Sequence, residues 1–253
     1  MSNKADLIID ASETNSDLFY STNFFVPDPV VFINHDGEKI LVLNDLELDR
    51  GKKESSADTI LSLNDYLPKI TKKKLKKFDL IDIVEIIFNE RKIKTVNVQK
   101  TFPVVYADKL RKRGFKVKVN KNPFLYESRL FKNKDEVSMI KKSLKKTAEA
   151  MNKATSLISS SKVKGKYLYL DGKILTSERV KQDINSYLAY NGFTASHTIV
   201  AGGVQGSMPH HSGSGPIWAG WPIVIDIFPR SQENGYFGDM TRTVVKGKPS
   251  EIV

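Results

Sequence analysis

The chain has 253 residues, 40 of them Lys or Arg and 29 Asp or Glu, for a formal net charge of +11, and 40% are hydrophobic. That length buries the core of one large domain or two ordinary ones, and 27% charged with 9% aromatic residues excludes a disordered tail or a collagen-like polymer. The absence of cysteine excludes disulfides, thiolate zinc sites and Cys nucleophiles; no apolar run approaches the roughly 20 residues of a membrane span, and Leu-Ile-Ile in the opening MSNKADLIIDASETNSD is too short for a secretory signal, so a soluble, cytoplasmic protein with no membrane partner is expected.

Residues 1–127 read as an α/β domain of alternating strands and helices. VVFIN (30–34) and KILVLN (39–44) flank a hairpin turn at His35-Asp36-Gly37-Glu38. In DLIDIVEIIFNERK (79–92) the apolar residues Leu80, Ile83, Val84 and Ile87 have helical spacing. TVNVQ (95–99) predicts a strand, PVVYADKLRKRG (103–114) a helix opened by Pro and closed by Gly, and KVKV (116–119) another strand. KNPFLYESRLF (121–131) reads as the connector to a second unit, 133–253.

That second unit opens on a long helix. Asn133 caps it, Asp135 and Glu136 occupy its first turn, and its apolar stripe runs Val137, Ile140, Leu144, Ala148, Met151 and Ile158. Another helix starts at Ser177, buries Val180, Ile184 and Leu188, and stops at Asn191-Gly192. Beyond residue 200 the chain is loop-rich, holding 9 of the 15 glycines, with strand-like runs at PIVIDIF (222–228) and TRTVVK (241–246).

Residues 201–253 carry four basic and four acidic side chains, so the positive excess lies earlier, much of it in KITKKKLKK (69–77) and on the Lys-rich face of 132–153. Nucleic-acid readers add arginine forks or exposed aromatics to such a run. Residues 69–77 have neither, so the run reads as a solvated face and no nucleic-acid partner is expected.

Asp226 sits within Ile223-Val224-Ile225-Asp226-Ile227-Phe228, which reads as a strand buried on both faces. A buried carboxylate must be paired, protonated or metal-bound. Asp239 heads the next strand, and PRSQENGYFG suits a loop returning the chain antiparallel, which would set the two carboxylates face to face. Such a pair shares a proton or holds a cation; alternatively Asp239 pairs with Arg242 and Asp226 merely ends a strand. His210-His211, before a Ser-Gly-Ser-Gly loop, can face a cleft.

The order TIVAGG, Pro209-His210, Gly220, Asp226, Gly235-Tyr236 and Asp239-Met240-Thr241-Arg242-Thr243 resembles the metal-dependent peptidases of the pita-bread fold, which include methionine aminopeptidase and creatinase. It is most similar to their proline-specific branch, aminopeptidase P and prolidase, and the likeness extends through the long helix and the α/β domain before it. The resemblance implies a creatinase-type N-terminal α/β domain (1–127) followed by the first half of an α+β pita-bread catalytic domain (133–253). It implies a metallopeptidase that hydrolyses Xaa-Pro bonds in proline-containing peptides. Asp226 and Asp239 match its metal-binding carboxylates, and His210 matches the histidine that contacts substrate and the tetrahedral intermediate, with His211 a second candidate for substrate binding. Two divalent ions (Mn²⁺, Co²⁺ or Zn²⁺) would then activate water and polarise the scissile carbonyl.

Two departures from the family accompany the likeness. The Asp226–Asp239 spacing is two residues longer, through PRSQEN, and the family's remaining His and two Glu ligands come from a second half that does not occur before Val253. The expectation is therefore a catalytic domain that ends partway, inactive as residues 1–253 alone, with an exposed sheet edge that favours a homodimer. The alternative is a non-catalytic binding protein on the pita-bread fold, with a protein or nucleic-acid partner.

Overall fold

A computed structural model describes residues 2–70 and 78–249, so the lysine run at 69–77 lies, from residue 71 on, outside the described residues. The chain forms two compact units, Met1–Phe131 and Lys132–Val253.

In the first unit, β1 (Lys4–Asp10), β2 (Val30–His35), β3 (Glu38–Leu43), β4 (Thr59–Ser62), β5 (Thr95–Val98) and β6 (Lys116–Val119) form one sheet in the order β4-β3-β2-β1-β5-β6. The pairs β1–β2 and β2–β3 are antiparallel, and the other three are parallel. Among the described residues, four α-helices, α1 (Ser16–Thr22), α2 (Asp45–Glu54), α3 (Leu80–Glu90) and α4 (Val104–Lys112), lie between the strands in sequence. Leu7, Ile9, Ile33 and Ile40 pack with Ile83, Val84, Ile87 and Phe88 of α3 in one core, while Ile8, Phe32 and Leu41 pack with Leu18 and Phe24 in another. Both faces of β1 are thus buried, and Leu-Ile-Ile, read above only as a failed signal sequence, belongs to an inner strand. Asp36 (φ 52°) and Gly37 (φ 88°) form the expected two-residue hairpin turn, with both central residues left-handed as a type I′ turn requires.

Residues 121–131 are not a free connector. Asp17, 2% exposed, accepts from Leu125 N at 2.9 Å and from Arg129 at 2.5 Å, and Leu125 packs on the second core. Two fixed hydrogen bonds to one buried carboxylate hold this stretch on the first unit.

Burial pushes the Asp6 carboxyl above the usual carboxylate range, against the hydrogen bond from Asn97 Nδ2 at 3.1 Å. Below the ordinary value of 3.8 the group is protonated folded or unfolded; as pH rises through that value and then the raised one, the folded state loses stability. Asp6→Asn keeps an acceptor for Asn97 and removes the charge. Its melting temperature is expected to exceed the parent's at pH 7, with the gap closing below pH 4; a variant less stable at pH 7 contradicts this.

In the second unit, α5 (Lys134–Ser160) leads to a small antiparallel sheet of β7 (Lys162–Lys164), β8 (Tyr167–Leu170) and β9 (Lys173–Ile174). Next come α6 (Ser177–Tyr190), then β10 (Phe193–Thr194) and β11 (Ile199–Gly202). The chain then adds β12 (Pro222–Ile227), β13 (Arg230–Ser231) and β14 (Met240–Val245). β11, β12 and β14 make an antiparallel sheet in that order, and β10 pairs with β13. Asn133 caps α5 reciprocally with Glu136, each bond 2.8 Å, as a capping box. Thr176 caps α6, whose Val180, Ile184 and Leu188 are fully buried with Ile223, Ile225 and Ile227 of β12.

The expected stripe of α5 holds only in its second half. Met151 and Ile158 are buried, but Val137 and Leu144 are 38% exposed, and the first half turns Glu136, Ser143 and Thr147 inward instead. The cause lies in the loop before β14, described next.

Candidate functional site

The β12–β14 register sets the geometry. Asp226 stands opposite Thr241, with Ile199 of β11 on its other side. Thr241 Oγ1 donates to Asp226 Oδ1 at 2.6 Å, which orients that carboxylate. Pairing continues past the named strands: Gly238 N donates to Pro229 O at 3.0 Å, Arg230 bridges Phe237, and Ser231 N donates to Tyr236 O at 2.9 Å. The residues of PRSQEN are therefore absorbed into a longer paired hairpin, which puts Phe228 opposite Asp239.

Asp239 precedes Thr241 by two residues, so alternation places it on the same sheet face as Asp226. The two do not stand directly opposite, as expected from sequence; they are diagonal neighbours, with backbones about 7–8 Å apart. The strand is also not buried on both faces. Ile223, Ile225 and Ile227 are fully buried, whereas Val224 and Asp226 on the other face are half-buried and Asp239 is exposed. The alternative pairing with Arg242 is not formed among the described residues: alternation turns Arg242 to the opposite face, and its Nη1 donates to Thr241 O at 2.7 Å.

The loop delivering Asp239 is wedged against α5. A Cβ on Gly238 would lie 2.1 Å from Thr147 Oγ1 and 2.7 Å from the Ser143 carbonyl oxygen, so only glycine fits. Ser143 Oγ donates to Tyr236 O at 3.1 Å, and the Tyr236 hydroxyl donates to Glu136 Oε1 at 2.8 Å. These polar contacts explain the polar buried face of α5. The sequence carries a trace of them in the small residues Ser143, Thr147 and Gly238, but neither apolar period nor motif singles them out.

The histidines occupy a neighbouring strip. Val200 N donates to Ser212 O at 3.1 Å, and a Cβ on Gly213 would lie 1.7 Å from Val200 O, so residues 212–213 run beside β11 in its own direction. His210 and His211 precede them in a turn that His211 N closes on Met208 O at 3.1 Å. His210 is exposed with φ 68°, and His211 Nδ1 accepts from Gly213 N at 3.0 Å. His197, also exposed, lies two residues before Ile199. Among the described residues no group of three or more His, Asp or Glu side chains could hold a metal ion. The sheet does place two carboxylates on one open face, with Asp226 held by Thr241, and carboxylate oxygens are the kind of donor that a hard or borderline divalent cation takes.

Residues 138–253 match metallopeptidase family M24. Over 223 residues the chain is 26% identical to the Xaa-Pro dipeptidase of Pyrococcus furiosus, covering 85% of this chain and 53% of that protein. Among solved structures, the X-Pro aminopeptidase of Thermotoga maritima aligns with a TM-score of 0.76 at 18% identity, over 98% of this chain and 64% of that one. The Pyrococcus furiosus prolidase aligns with a TM-score of 0.72 at 21% identity, again over 98% and 64%. The chain thus spans about half the length of its curated relative. These likenesses show the fold: an α/β N-terminal domain followed by part of an α+β pita-bread domain.

Proposed function

With residues 138–253 an M24 metallopeptidase segment, we propose that this protein is a metal-dependent hydrolase of Xaa-Pro bonds, acting on proline-containing peptides. The supporting observation is the pair Asp226 and Asp239 on one open sheet face, two register steps apart, inside that segment. The first unit, in this reading, is a creatinase-type domain.

Asp226 and Asp239 are the metal-holding carboxylates, and Thr241 fixes the rotamer of Asp226 through its 2.6 Å hydrogen bond. Two divalent ions held there, Mn²⁺, Co²⁺ or Zn²⁺, would supply Lewis-acid polarisation of the scissile carbonyl. His210 meets the substrate from the strip outside β11, where its exposed imidazole can donate to a developing oxyanion, and His211 lines the same approach. No helix among the described residues is long and apolar enough to cross a membrane, and a cytoplasmic homodimer is the assembly this reading favours.

The test is an assay of a polypeptide carrying this sequence within a complete M24 domain, given Mn²⁺ or Co²⁺. Xaa-Pro dipeptides or Xaa-Pro-Xaa tripeptides should be cleaved at least roughly 100-fold faster than their Xaa-Ala counterparts, a discrimination of the size that pocket contacts commonly supply. Equal rates, or no hydrolysis with any of the three metals, would overturn the reading.

A further inference from the structure

The small sheet β7–β9 carries a pattern that the peptidase reading does not use. Its register sets Lys162 opposite Tyr169 and Lys164 opposite Tyr167, with Ile174 beyond Tyr169 and Trp218 bridged to Tyr167. Opposed residues share a face, so lysines and aromatic rings alternate across one surface. Leu168, on the other face, is fully buried in the core. Lys164 Nζ lies 5.4 Å from the Tyr169 ring centre, and Lys166 Nζ lies 5.2 Å from Tyr167 and 5.1 Å from Trp218. Tyr167 and Trp218 meet edge to face at 5.4 Å.

Residues 162–174 hold four lysines against one carboxylate, Asp171, and none of Lys162, Lys164 or Lys166 has an ion-pair partner among the described residues. Trp218 is 42% exposed and forms one wall of a cavity of about 300 Å³ that Trp221, Val204 and Gln205 also line. Gly247 packs near Val163 and Ala219, which brings the backbone between Lys246 and Lys248 to the same edge.

Lysines alone would suit any anion. Rings at this spacing, each with an ammonium about 5 Å from its centre, suit a polymer that presents flat apolar groups and anionic groups in alternation. Tyr167 and Tyr169, two residues apart on one strand, are separated by roughly 7 Å, a step that an extended nucleotide chain can match. The chain's positive excess provides the attractive field. We propose that the outer face of β7–β9, with Trp218, binds single-stranded nucleic acid without sequence preference, the bases stacking on Tyr167, Tyr169 and Trp218 while Lys162, Lys164 and Lys166 meet the phosphates. The lysine run at 69–77 takes no part in it, and the surface stands independently of the peptidase reading.

The test is fluorescence anisotropy of a labelled 12-nucleotide oligo-dT titrated with the 253-residue chain. Binding is expected at 50 mM salt and should weaken about 20-fold at 200 mM, the counterion release of three phosphate contacts on a single strand. Replacing Lys162, Lys164 and Lys166 together by Glu should abolish it. Tyr169→Ala should weaken it roughly tenfold, while Tyr169→Phe, which keeps the ring, should bind as the parent does. All of these positions are surface residues of a short sheet, and circular dichroism of each variant confirms that the fold is kept. No binding at 50 mM salt would overturn the proposal. So would undiminished binding by the triple Lys→Glu variant, an unaffected Tyr169→Ala, equal affinity for a duplex of the same length, or binding of anionic lipid vesicles in place of the oligonucleotide.

Discussion

Gly238→Ala is expected to destabilise the second unit by about 3 kcal/mol and lower its melting temperature by roughly 10 °C. The added methyl would stand 2.1 Å from Thr147 Oγ1 and 2.7 Å from the Ser143 carbonyl. The hydroxyl can rotate away, but a helix carbonyl cannot move without disturbing the turn that contains it. Thr147→Ala in the Gly238→Ala background should therefore recover only part of the loss. Ser143→Ala, which removes one hydrogen bond to Tyr236 O, should cost about 1 kcal/mol. Full rescue by Thr147→Ala, or a Gly238→Ala variant as stable as the parent, would show that the loop is not wedged on α5. The same variant should also displace Asp239, its chain neighbour.

That wedge marks where sequence reading stops. Local chemistry was legible: the Asp36-Gly37 turn, the Asn133 capping box, the apolar stripe of α6 and the Asp-bearing strand all announce themselves within a few residues. Long-range choices were not. Val137 and Leu144 have the right period for a core face, yet Ser143 and Thr147 are buried in their place because Gly238, more than 90 residues away, docks there. β1 carries no local signal, because three apolar residues between polar ones have no period, although hydrogen bonding to both β2 and β5 makes it an inner strand. The run Ile-Val-Ile-Asp-Ile-Phe reads as buried on both sides, since apolar residues face both ways; only the sheet's partners show that the Asp226 face is half-open. The Asp226–Asp239 register likewise depends on where the hairpin closes, at Ser231 and Tyr236. That the two aspartates come near one another follows from reading PRSQENGYFG as a returning loop, and the family likeness of the motif adds the metal-holding role.

In the polypeptide with a complete M24 domain, Asp239→Ala is expected to abolish the proposed Xaa-Pro hydrolysis, a loss of roughly 10³-fold or more, because polarisation by a metal contributes several kcal/mol to the transition state. Thr241→Val, which removes the donor to Asp226 Oδ1, should weaken metal binding about tenfold while leaving the donor set complete, as loss of a ligand's supporting hydrogen bond does elsewhere. The two variants separate holding the metal from orienting a ligand. Asp239 is exposed and makes no ion pair among the described residues, so its truncation should leave the stability within about 0.5 kcal/mol of the parent's.

The central claim, that Asp226 and Asp239 form one cation-holding pair, is tested most directly by titrating Co²⁺ or Mn²⁺ into the 253-residue chain by calorimetry. Two carboxylates with no third protein ligand beside them predict weak, saturable binding, with Kd on the order of 10⁻⁴ to 10⁻³ M. Asp226→Ala and Asp239→Ala should each weaken it at least tenfold with circular dichroism unchanged. Isotherms that are the same for the parent and both variants would place any bound metal elsewhere and contradict the account.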